Sequence, residues 1–130
     1  MDLHLNVDGP HDDDSIRQTA SAMAECVRVL NHATRDPDAV KYPATVHDVL
    51  GSLRDGVQRM DQLFRQLDDR LRSMAVQDRI GDTHGDPFQV VASVRRQLDL
   101  LRTDAAVMAE RLDRAFNASS GLYLREDGGS

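Results

Sequence analysis

The stretch VQRMDQLFRQLDDRLRSMAVQDRIGDTHGDPFQVVASVRRQLDLL, residues 57–101, decides the fold. Before its central turn, Val57, Phe64 and Leu71 alternate with Met60, Leu67 and Met74 at steps of three and four; after it, Val91 and Leu98 alternate with Val94 and Leu101. Such spacing gathers apolar side chains on one stripe of an α-helix, along which a second helix packs. The pattern runs outward on both sides, through Leu53, Leu50 and Val46 upstream and through Ala105, Met108, Leu112 and Ala115 downstream. The connection GDTHGDP, residues 81–87, is short enough to force the two helices to be antiparallel neighbours.

Chain punctuation sets the ends. Ser15 with Gln18, Thr45 with Asp48 and Asp86 with Gln89 have the spacing of reciprocal helix caps, and Pro87 suits a first helical position because its missing N–H has no partner to lose. Pro37, Gly81 and Gly121 read as stops. These signals predict helices near 15–35, 45–80 and 86–120. Closing the short loop while setting one heptad row against the other places Met74 by Val91, Leu67 by Leu98, Met60 by Ala105, Val57 by Met108 and Leu53 by Leu112. The same register brings Asp61 to Arg102 and Asp68 to Arg95 along one flank.

The other flank is apolar only in the half away from the loop, where Val49, Gly56 and Leu63 lie beside Leu100 and Val107. The first helix has its own stripe, Ile16, Ala20, Met23, Val27 and Leu30, with Cys26 beside it. At ~1.5 Å per residue it spans about 30 Å and fits that half. The expected fold is all-α: a three-helix bundle from which the long heptad hairpin projects as an arm. Residues 1–130 read as one helical domain, with 1–13 and 121–130 as flexible tails. Leu3, Leu5 and Val7 alternate as a short strand would.

Composition agrees with helix-on-helix packing. The chain is 40% hydrophobic but only 4% aromatic with no Trp, so its core must come from Leu, Val, Met and Ala. A net charge of −6 disfavours general nucleic-acid binding, which needs a basic surface. The single cysteine rules out an internal disulfide and fits a reducing cytoplasm. The opening MDLHLNVDGP lacks the cationic start and apolar run of a signal peptide, and no stretch reaches the ~18 apolar residues of a membrane span.

Chemistry is sparse. His4, His11, His32, His47 and His84 share no helical face. His11 with Asp12, Asp13 and Asp14 reads as an acidic first helical turn rather than a cation site, and Asp86 in the loop with Asp82 and His84 is already engaged as a cap. No metal, cofactor or catalytic group is expected. Arg65, Arg72, Arg79, Arg95 and Arg96 concentrate basic charge on the arm, but no aromatics interleave for base stacking. Val76, Ile80, Phe88 and Val90 cluster at the turn, where they form either an interface or a cap over the end of the hairpin.

Two resemblances add to this reading. LNHATRDPDAVKYPATVHDVLG, residues 30–51, with the GDTHGDP turn, resembles a group of small helical proteins from actinobacteria, which carries no activity to transfer. Tyr123 and Asp127 have the Tyr-x-x-x-Asp/Glu spacing found after the second helix of the small hairpin proteins exported by type VII secretion; the Trp-x-Gly turn of that family is missing here, replaced by residues 82–87. The residues together point to a non-enzymatic interaction or adaptor module of the bacterial cytoplasm, binding a protein partner or another copy of itself. The alternatives are a hairpin secreted without a signal peptide and a regulator associated with nucleic acid.

Overall fold

The structure, a computed structural model, describes Leu5 and residues 7–126. Three helices, α1 (Asp13–Ala33), α2 (Pro43–Val76) and α3 (Pro87–Ala118), account for all regular structure among the described residues, and no strand is present there. The chain falls into two compact units, the first ending at Lys41 and the second beginning at Tyr42. In the second unit α2 and α3 pack against each other as an antiparallel hairpin.

The helix ends shift by a few residues for identifiable reasons. α1 starts earlier because Asp12, not Ser15, is its cap: Asp12 Oδ1 accepts from Ser15 N at 2.8 Å, and Ser15 Oγ accepts from Asp12 N at 2.9 Å. α2 opens on Pro43 after Tyr42, with no side-chain cap, so Thr45 lies inside the helix. α3 matches its sequence signal, with Pro87 first and Asp86 Oδ1 accepting from Phe88 N at 3.0 Å. α2 ends at Val76, before Gly81 is reached. Asp78 takes up the left-handed conformation, φ 55, and the bonds Arg79 N to Met74 O and Asp78 N to Ala75 O close the helix around it. Asp tolerates that conformation better than most residues other than glycine, which is how the stop escapes a search for Gly.

The expected flank pairs are present. Arg95 Nε donates to Asp68 at 2.7 Å and Arg102 Nε to Asp61 at 2.9 Å, so the two helices meet in the expected register. Their rotation is different. On α2 the rows facing α3 are Leu50, Val57, Phe64 and Leu71 together with His47, Arg54, Asp61 and Asp68. On α3 they are Val91, Leu98, Ala105 and Leu112 together with Arg95, Arg102, Ala109 and Phe116. One row of each expected seam is therefore replaced by the row one residue further along. Val46, Leu53, Leu67 and Met74 on α2, and Val94, Leu101 and Met108 on α3, stay between 38% and 55% exposed. Val57 accordingly packs with Ala105 and Ala109 while Met108 stays 55% exposed, and Met60, Phe64 and Leu112 close around the core.

Physics favours this rotation. The small residues Ala105 and Ala109 let the backbones approach, and three Arg–Asp pairs span the seam. Each helix also carries more apolar rows than one neighbour covers, so some must remain outside whichever way the pair turns.

α1 contains no buried residue, and Cys26 is half-buried. Its expected seat in the groove of Val49, Leu63, Leu100 and Val107 is a matter between the two units; on the hairpin Leu63, Leu100 and Val107 are exposed. Leu5 and Val7 are exposed and lie outside regular structure, while Leu3 falls outside the described residues.

Candidate interaction surfaces

Three places on the hairpin bear on function: its tip, its base and its uncovered apolar face. At the tip, the four candidate residues separate. Ile80 is half-buried and lines a small depression with Ala75, Asp78, Pro87, Phe88 and Val91, which is how a cap over the turn would sit. Val76 is 78% exposed and Phe88 70%, and Val90 is exposed too. The loop carboxylates serve the backbone: Asp82 accepts from His84 N at 3.1 Å and Asp86 caps α3.

At the base, the structure assembles a group that the sequence did not reveal. His47, Gly51 and Arg54 follow one another on a single face of α2, and Phe116 of α3 lies against all three. The His47 ring stacks on Phe116 with centroids 4.0 Å apart, and the Arg54 guanidinium lies 4.2 Å from the Phe116 ring centre. A Cβ on Gly51 would come within 2.8 Å of the Phe116 ring, so glycine is required for this close approach. Arg54 also donates to Asp113 at 3.2 Å.

His47 Nδ1 lies 2.7 Å from Ser119 Oγ, a histidine–serine pair of the kind that can activate a nucleophile. The proton count argues for a structural role. The Ser119 hydroxyl donates to the Phe116 carbonyl at 2.9 Å, so its one proton is already engaged, and the bond to His47 then requires Nδ1–H to donate to Oγ. Ser119 is also the C-terminal cap of α3 and is buried. The pair ties the end of α3 to the start of α2. The expected register sets His47 opposite the end of α3, but an apolar heptad pattern does not mark a polar residue in a seam position.

The hydrogen-bonded Arg95 guanidinium holds the Asp68 carboxyl below the usual carboxylate range. The same bond raises Arg95, and Asp61 raises Arg102. No group of three or more His, Cys, Asp or Glu side chains among the described residues is placed to hold a metal ion. His11 bonds the Val7 carbonyl through its ring. Tyr123 is exposed just past α3, and Asp127, its expected companion, lies outside the described residues. No helix among the described residues is long and apolar enough to cross a membrane.

The third place is the face left by the rotation of the hairpin. It carries Val46, Leu53, Leu63 and Leu67 of α2, bordered by Val94, Leu101 and Met108 of α3, each at least 40% exposed. Gly56 sits among them, and a Cβ there would meet nothing within 4 Å. No family model, no curated protein and no solved structure matches this chain.

Proposed function

We propose that this chain is a non-enzymatic protein-interaction or adaptor module of the bacterial cytoplasm, working through the uncovered face of its hairpin. The observation that carries the reading is that face, a row of apolar residues on each helix left outside a two-helix core. Apolar surface of this extent is unfavourable in water, at roughly 25 cal/mol per Å², and a contiguous patch marks where another surface is covered. Helices with apolar residues on three heptad rows suit two helical neighbours, and the hairpin supplies each with one.

A photo-reactive amino acid at position 63, on the face, tests this against one at position 69, which is exposed and away from it. Adducts formed from position 63 alone support the reading; a lack of adducts from 63, or equal yields from both, contradicts it.

Export as a hairpin protein is the second reading, favoured by the exposed Tyr123 beyond the second helix of the pair. Tyr123→Ala would then abolish appearance in the medium of a host with the secretion machinery while leaving the protein folded inside. Wild-type protein that never leaves such a host removes this reading.

A further inference from the structure

From the spacing along the uncovered face of α2 we infer that its partner is a second copy of this chain, packed α2 against α2′ and antiparallel about a two-fold axis near Arg54 and Asp55. This rests on the interaction reading above and names its partner. On the outer side of α2 two heptad rows run Tyr42, Val46, Val49, Leu53, Gly56, Met60, Leu63 and Leu67, exposed except for the half-buried Val49 and Met60, at steps of four, three, four, three, four, three and four. That series is the same read from either end. A surface with such symmetry can meet itself in an isologous contact, in which each pairing occurs twice.

The axis position follows from size and charge. Setting one heptad row against the other about the centre of the series pairs Leu53 with Gly56′, Val49 with Met60′, Val46 with Leu63′ and Tyr42 with Leu67′. Leucine then fills the space over glycine, twice. This accounts for Gly56, which otherwise weakens the middle of a long helix by about 1 kcal/mol relative to alanine with no contact in its own chain to justify it. Gly51, by contrast, is explained within the chain by Phe116.

Sliding one heptad toward the loop would place Arg59 against its own copy and Arg70 on Val46′, opposing like charges at the two-fold, and sliding one heptad the other way would leave Leu63 and Leu67 beyond the start of α2′. The register about Arg54 and Asp55 instead flanks the seam with Ser52 against Arg59′ and Thr45 against Gln66′, with no like charges opposed. The strip spans residues 42–67, roughly 38 Å at 1.5 Å per residue. With the bordering row of α3 it is about two helix spacings wide, some 20 Å. Its area of roughly 760 Å² matches the ~800 Å² per partner that a stable interface buries.

Sedimentation equilibrium of the full chain across about 1–100 µM reads the outcome, with circular dichroism as the folding control. The wild type is expected to be a dimer. Leu53→Asp should weaken it about a hundredfold and Gly56→Leu about tenfold, with helicity unchanged because both positions lie outside the hairpin core. Ser52→Arg should weaken it several-fold, and adding Arg59→Asp should restore it. A dimer indifferent to Gly56→Leu and to the charge swap overturns this arrangement. A wild type monomeric at 100 µM overturns the second copy. If that monomer still forms adducts from position 63 with a different protein, the interaction reading stands without this one; if it forms none, both fall.

Discussion

The two long faces of the hairpin solve the same packing problem in opposite ways. On one, Arg54, Asp61 and Asp68 of α2 meet Asp113, Arg102 and Arg95 of α3 at 2.7–3.2 Å, and every charge in the seam has a partner across it. On the other, leucines, valines and methionines that form clean heptad rows remain 38–55% exposed. A helix pair can turn only one way at a time. The difference teaches that the pair closes where small residues and paired charges permit close approach, not where apolar residues are most numerous. The charged face completes the hairpin, and the apolar one is left for an encounter.

The largest expected effect breaks the core between the two faces. Val57, 7% exposed between Ala105 and Ala109, replaced by Asp buries an unpaired charge and should unfold the hairpin in thermal melts. Leu53→Asp, one turn away on the uncovered face, should leave the fold of a dilute sample within about 0.5 kcal/mol of wild type. Equal losses would show that the two faces are not distinct.

The glycines give the next contrast. Gly51→Ala drives a methyl into a Phe116 ring already held by His47 and Arg54, and should cost about 1–3 kcal/mol. Gly56→Ala meets open space in its own chain, and in dilute solution should gain up to about 1 kcal/mol from helix propensity. Urea titrations of the two variants should move in opposite directions.

Much of this architecture was legible from the residues. The hairpin, its antiparallel sense, its register and two of its ion pairs follow from heptad steps, a seven-residue connection and the positions of Asp61, Asp68, Arg95 and Arg102. The rotation was not, because a pattern of apolar letters treats Arg95 and Arg102 as surface, although their stems are hydrocarbon and their heads are neutralised across the seam. The stop at Asp78 was not legible because glycine is the usual residue in a left-handed cap, and the base cluster was not because an apolar pattern does not mark the polar His47 in its seam position. At the tip, the pattern could not tell half-buried Ile80 from exposed Val76 and Phe88.

The charged face makes a smaller, pH-dependent prediction. Asp68 is held below its ordinary value in the folded chain by Arg95, so the stability it adds is present above the unfolded carboxylate range near 4 and is lost as pH falls through its lower folded value. Asp68→Asn should therefore be less stable than wild type at pH 7, and the gap between their melting temperatures should shrink toward pH 2. A gap constant with pH would mean that the pair with Arg95 does not contribute through its charge. Smallest of all, Asp78→Gly should stabilise by about 0.5 kcal/mol, because glycine adopts the left-handed cap without the Cβ penalty that Asp pays in part.

The rotation of the hairpin can be read from a single methyl-to-methyl contact. In a sample with methyl-labelled Val, Ala and Met, mixed with unlabelled chain so that only contacts within one molecule are seen, Val57 should show a strong nuclear Overhauser effect to Ala109 and none to Met108. A strong effect from Val57 to Met108 with none to Ala109 would mean that the helices close on the heptad rows instead, and that the uncovered face does not exist.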